Sequence, residues 1–183
     1  MLSRMTFIGR RATGAIAGLI LVAAQFGAPL AAAAADLKRI AVLDFGLIED
    51  IPEPAKYEEQ QKRLMLITDQ LRTELEKKEL YDVIDNAPAE AMIKNMKASE
   101  NLYACNGCEL DIARKLGAER VLTAWVQKVS NLILNLNIEV KDVSTGEVTL
   151  KKSVDIRGNT DQSWQRGISY MVRDMVEKKQ GGR

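Results

Sequence analysis

The chain predicts an α/β fold: a single mixed sheet of about five strands, ending in an antiparallel hairpin and packed with three to four helices. Three observations carry this. Ile40-Ala41-Val42-Leu43 is a short continuous apolar run, as suits a strand buried on both faces. Between Glu58 and Lys78 the residues Leu64, Ile67, Leu71 and Leu75 recur at helical spacing. From Asn131 to Lys141 the period changes to strict alternation, with Leu132, Leu134, Leu136, Ile138 and Val140 on one side and Ile133 the exception.

The elements follow in order. Leu37 to Phe45 is the first strand, closed by the turn-former Gly46, and the acidic, proline-containing stretch from Glu49 to Tyr57 reads as an exposed loop. The helix over 58–78 comes next, with lysines at its end where they suit the helix dipole. Tyr81 to Asp85 is a strand, and Pro88 opens a second helix over Ala89 to Lys97. A short helix after Cys108 runs to Leu116 and stops at Gly117. Val121 to Val129 and the alternating segment are strands, and Val143 to Glu147 is a hairpin turn. On the return strand Val148, Leu150, Val154 and Ile156 continue the buried side. Lys152 shares their register, so it either snorkels or guards a sheet edge. The last helix spans about Asp161 to Lys178, with Trp164, Ile168, Met171, Val172 and Met175 as its stripe.

The first 35 residues read as an export signal and stand outside the fold. Arg4, Arg10 and Arg11 form a basic start, Ala15 to Ala24 an apolar run, and Ala31 to Ala35 a small-residue cleavage site. Gln25, Gly27 and Pro29 interrupt the stretch, which disfavours a retained membrane anchor. Cleavage removes three of 26 basic residues and none of the 25 acids, leaving 23 against 25 in a soluble domain over 36–183. A basic stripe for nucleic acid is absent, and no stable membrane insertion is expected after cleavage. The expected location is the periplasm of a Gram-negative bacterium.

Composition narrows the chemistry. The 183 residues contain no histidine, which excludes Ser-His-Asp and Cys-His catalysis, histidine metal sites and covalent haem attachment. No enzyme activity and no cofactor are expected. Cys105-Asn106-Gly107-Cys108 holds the only two cysteines; in an oxidising compartment a disulfide that pins a helix start is the default, and a thiol-disulfide exchange site is the functional alternative. Zinc would need two further ligands of a kind the chain does not supply.

Three polar groups merit attention. Glu49, Asp50, Glu53, Glu58 and Glu59 form an acidic cluster that matches no calcium loop and reads as solvated, with cation or small-ligand binding as the alternative. Asp44 ends the first strand, where open α/β sheets place ligands, against the plainer role of a cap. Asn131, Asn135 and Asn137 form a row of amides on the outward side of the alternating strand, a surface for a protein partner together with Lys152 or simply a wet face. Trp125 and Trp164 are expected in the core.

Certain residues also carry a resemblance. Ile40 to Phe45, Leu71 and Leu75 before Tyr81 to Asp85, Ala113 with Leu116-Gly117-Ala118 before Val121, and Asp142 with Thr145-Gly146 form an order similar to the amino-terminal domain of the Tol–Pal propeller protein. The periplasmic domain of the curli secretion channel and the outer-membrane activators of penicillin-binding proteins share it. With the Cys-x-x-Cys and Arg157-Gly158-Asn159-Thr160 added, the chain resembles a family of uncharacterised proteobacterial exported proteins. These motifs are core and turn positions, so they imply a fold and transfer no activity. The implied role is that of a non-catalytic accessory module for an unidentified protein complex of the envelope or periplasm, docking through its sheet edge or the hairpin Lys141 to Lys152. A thiol-redox protein and a small-ligand or metal-ion binder are the alternatives.

Overall fold

A computed structural model describes residues 37–99 and 101–181; the expected export signal lies outside these residues. The strands are β1 (Arg39–Val42), β2 (Gly46–Glu49), β3 (Asp82–Val83), β4 (Arg120–Lys128), β5 (Ile133–Asp142) and β6 (Val148–Arg157). The helices are α1 (Tyr57–Lys77), α2 (Glu90–Ser99), α3 (Cys108–Leu116) and α4 (Asp161–Gly181). All six strands form one mixed sheet in the order β3-β1-β4-β5-β6, with β2 also paired to β4. Parallel pairing joins β1 to β3 and β4, while β4, β5 and β6 form an antiparallel meander.

Helices cover both faces. The apolar stripes of α1 and α4 meet Ile40, Val42, Leu122, Ala124, Val126 and Leu134, Leu136, Ile138 and Val140 of β5 in the larger core. The smaller core is built by Ala41, Leu43 and Val121 against Ile112 and Ala113 of α3 and Ala89. The helix α3 ends at Gly117, whose φ of 67° is the left-handed cap expected of it. The extent of these helices and of the hairpin agrees with the sequence pattern, but Val148 is 49% exposed and not on the buried side, because a register shift between Val140 and Lys141 pairs it with Lys141.

The stretch after β1 differs. Gly46 begins a second strand instead of a turn, and the supposed loop is β2 followed by a 3-10 turn at Pro54–Lys56. Between the pairs Val42↔Leu122 and Gly46↔Trp125 this strand advances four residues while β4 advances three, so one extra residue is accommodated at 43–45. The bulge inverts the alternation. Leu43 faces the smaller core, yet Phe45, two residues on, lies in the larger one. Gly46 is required beside it, since a Cβ there would meet the Tyr103 ring at 2.3 Å. Tyr103 in turn stacks on Trp125, ring centroids 6.0 Å apart, which leaves Trp125 half-buried where full burial was expected. Trp164 is fully enclosed.

Two further boundaries moved. The strand after α1 shrinks to Asp82–Val83. Leu132 precedes β5 and is 72% exposed, because the chain is still turning there and its side chain projects past the end of the sheet.

The bulge leaves backbone groups to be satisfied, and α1 supplies the partners. Phe45 N–H donates to Thr68 Oγ1 at 3.1 Å, and that hydroxyl donates to Leu64 O at 2.8 Å. Thr68→Val keeps the shape and strands the Phe45 N–H, so urea denaturation should show a loss of about 1–3 kcal/mol; an unchanged midpoint would mean that the bulge does not depend on this bond.

Candidate functional site

At the bulge, three elements converge on one carboxylate. Asp44 accepts hydrogen bonds from Arg72 of α1 at 2.9 Å and from Lys97 of α2 at 2.5 Å. Arg72 and Asn86 also donate, each at 2.8 Å, to the Val42 carbonyl, which points to the β3 side of β1 just past the end of that short strand. Burial alone would raise the Asp44 pKa, but Lys97 and Arg72 outweigh it and hold the carboxylate below its ordinary value. A cavity of about 270 Å³ opens beside it, lined by Leu43, Asp44, Arg72, Asn86 and Glu90. Asp44 thus sits at the carboxyl end of β1 as expected, with its charge already met by two cations of its own chain.

The acidic cluster is likewise turned inward. Lys128 lies on the core face of β4 with only 3% of its side chain exposed, and its ammonium binds Glu49 at 2.8 Å and also Glu53. Burial by itself would lower the Lys128 pKa; the hydrogen bonds to Glu49 and Glu53 reverse this and raise it. The same ammonium, helped by Asn131, holds Glu53 down at about 2. Gln60 completes the group by donating to Glu49 at 2.8 Å. Asp50 stays exposed, tied only through its backbone to Lys128 O. Two of the five acids are therefore counter-ions to a buried lysine, which the reading of a solvated loop missed. The signal was present: Lys128 continues the core-facing series Leu122, Ala124 and Val126.

Cys105 and Cys108 meet as a disulfide-bonded pair with Cα atoms 5.7 Å apart, at the start of α3. Cys105 is buried beside Glu109, whose carboxylate is only 2% exposed and binds Lys141 Nζ at 2.7 Å. The sulfurs and Glu109 lie within 4.8 Å of one another, but bonded sulfurs offer no thiolate and the carboxylate already has its cation, so the trio does not make a metal-ligand set.

The amide row divides. Asn135 and Asn137 lie on the wet side of β5, where Asn135 donates to Asp155 at 2.7 Å and accepts from Ser153 at 2.8 Å, while Asn137 turns back on Asn135 O. Asn131 lies outside the strand and accepts from Asn159 Nδ2 at 3.0 Å. Lys152 is on the opposite side, 8% exposed and ion-paired with Asp174 of α4, so it does not share a surface with the amides.

Unforeseen was the part played by Arg63 of α1. Only 5% exposed, it binds Asp161 and Glu59 at 2.6 Å and Asn159 at 2.9 Å, and it stacks over the Trp164 ring at 5.3 Å. Trp164 Nε1 donates to the same Asn159 oxygen at 3.1 Å. The Arg-Gly-Asn-Thr segment is thus a joint between α1, α4 and the β4–β5 turn.

Fold and site together define a small α/β domain whose buried polar groups brace its own sheet and helices. The chain belongs to the family described as Protein of unknown function (DUF2380), whose model DUF3280 matches residues 38–176. A family of unknown function is what the sequence resemblance implied. Lipoprotein GNA1162 from Neisseria meningitidis has a similar fold, at 16% identity and a TM-score of 0.50, over 79% of this chain and 96% of that one. The LpoB C-terminal domain from Salmonella enterica gives 16% and 0.49 over 66% and 82%, and the PelC dodecamer from Paraburkholderia phytofirmans gives 15% and 0.47 over 74% and 86%. No curated protein matches by sequence.

The depressed carboxylates set an acid limit. Hydrogen bonds from Ser144 and Thr145, with Arg120 nearby, hold Asp142 at about 2 as Lys128 holds Glu53. Both are depressed from ordinary values of 3.8 and 4.5, so their stabilisation is complete above that range and is lost as pH falls from about 4.5 towards 2. Glu53→Gln should melt at lower temperature than the wild type at pH 7, and the two melts should converge near pH 2; a gap independent of pH would refute the pairing.

Proposed function

We propose that this chain is a non-catalytic accessory module of the bacterial envelope, exported under a signal over residues 1–35, whose domain over 36–183 docks on a periplasmic protein complex through the β6 side of its sheet. One observation carries the reading: β6 is ten residues long and pairs on one side only, with β5. Its location agrees with the described residues, none of whose helices is long and apolar enough to cross a membrane. The likeness to lipoprotein GNA1162 supports the fold and names no partner. Asn135, Asn137 and Ser153 form the wet flank of the docking side, whereas Asn131, Lys152, Asp44 and Glu49 brace the fold.

A photo-crosslinking residue placed at Ser153 or Asp155 should yield a discrete adduct in intact cells, and one at the equally exposed Glu76 of α1 should not. Indistinguishable patterns would remove the docking edge from β6.

In the same reading the Cys105–Cys108 bridge is a clasp on the start of α3. It closes a loop with a sequence separation of three, for which chain entropy allows about 2 kcal/mol. Cys105→Ser with Cys108→Ser should lose about that much stability, and the pair's reduction potential should lie below about −300 mV. A potential near −200 mV would make it an exchange site instead.

A further inference from the structure

A groove of about 780 Å³ runs between the free edge of β6 and α4. Which backbone groups face it follows from the ladder. Gly158 N–H donates to Leu132 O, so in β6 the even-numbered residues bond to β5, and the N–H and C=O groups of Lys151, Ser153 and Asp155 point outward. The floor is apolar and close-set. Val154 and Ile156 face α4, which sits so low on the sheet that a Cβ on Gly167 would meet Ile156 at 2.7 Å and Leu136 at 2.5 Å. Tyr170, 53% exposed, forms the outer wall.

The charge is one-sided. Arg157, Arg166 and Arg173 line the groove against Asp155 alone, and Asp155 is already bonded to Asn135. Among the described residues no carboxylate lies within 4.0 Å of Arg157 or Arg166, and Arg173 reaches Glu177 only at 4.0 Å while stacking over Tyr170. A second copy of the chain meeting this edge would bring the same arginines with it, so self-pairing sets like charges together.

Resting on the reading of β6 as the docking edge, we propose that the groove takes an extended acidic segment of the partner protein, added to the sheet beside β6 with small apolar side chains over Gly167 and carboxylates on Arg166 and Arg173. The backbone supplies affinity through the outward N–H and C=O groups, and the arginines choose the sequence.

The test uses the purified chain and a labelled synthetic peptide of Glu-Ser-Val-Ser repeats, in which every second side chain faces α4 and these are glutamate and valine in turn. The peptide should bind with an affinity that falls as salt rises, and hydrogen exchange should slow at Lys151, Ser153 and Asp155 in preference to Leu150 and Lys152. Arg166→Glu with Arg173→Glu should weaken binding by at least about tenfold, with an unchanged melting temperature since both side chains are exposed. Methylating alternate peptide nitrogens, which leaves the protein untouched, should abolish it. Equal binding by a peptide with lysine for each glutamate, or by the methylated one, would overturn the inference; so would a dimer that Asp155→Lys dissolves. If the envelope adduct forms at Ser153 but maps to a basic segment, the acidic occupant is wrong and the docking edge stands; if the peptide binds while no adduct forms at Ser153 or Asp155, the docking reading itself fails.

Discussion

One inserted residue between Val42 and Gly46 organises the architecture. It allows β1 and β2 to run as one broken path beside nearly the whole of β4 while exchanging which side chains meet α1. Two backbone groups at this corner have no place in the ladder, the Phe45 N–H that the insertion turns away from β4 and the Val42 carbonyl that lies past the end of β3. Left unpaired in the interior, each would cost about 1–3 kcal/mol. Thr68 and Arg72 supply partners from one side of α1, and Asn86 from the turn after β3. These bonds fix α1 in position along the sheet. Through Arg63, α1 then fixes the Asn159 joint and the start of α4, and α4 forms one wall of the groove beside β6. A local irregularity at one end of the sheet therefore sets the geometry of a surface at the other.

The buried charges belong to the same scheme. Lys128 with Glu49 and Glu53, Lys141 with Glu109, and Lys152 with Asp174 each tie a strand to an element packed against it. Such pairs contribute little net stability, because desolvation offsets most of the attraction, but removing one partner leaves a buried charge uncompensated. They therefore penalise alternative registers. A shift of β4 by one residue would carry Lys128 to the other face, away from both acids.

How much of this was legible depends on the range of the interaction. The long stripes of α1 and α4 and the alternation of β5 and β6 are local periodicities, and their elements appear close to where the pattern puts them. The stripe of α1 even extends back to Gln60 and Arg63 at helical spacing from Leu64 and Ile67, although polar residues there do not announce burial. β2 was hidden because its opening glycine and the acids and prolines beyond it have turn chemistry; what makes it a strand is β4, about 80 residues on. The ligand-like position of Asp44 was readable, but Arg72 and Lys97 lie 28 and 53 residues away, and no local pattern pairs them. Asn131 looked equivalent to Asn135 because alternation continues past the strand end, where the turn back from β4 redirects it.

The two edges of the sheet are treated differently, and the difference bears on function. At one end β3 is reduced to two residues, too short to template another strand. At the other, β6 offers ten residues with no proline and, among the described residues, no strand paired along its outer line. Lys152 is folded inward onto Asp174, and the exposed Lys151 is paired back across the sheet with Glu139. A free edge of this length invites indiscriminate pairing unless something discriminates among incoming strands. The arginines along α4 can do so, repelling basic strands and further copies of the chain while favouring acidic ones. The exposed edge and the weakly paired arginines fall in one groove, and an acidic strand seated there would meet both at once.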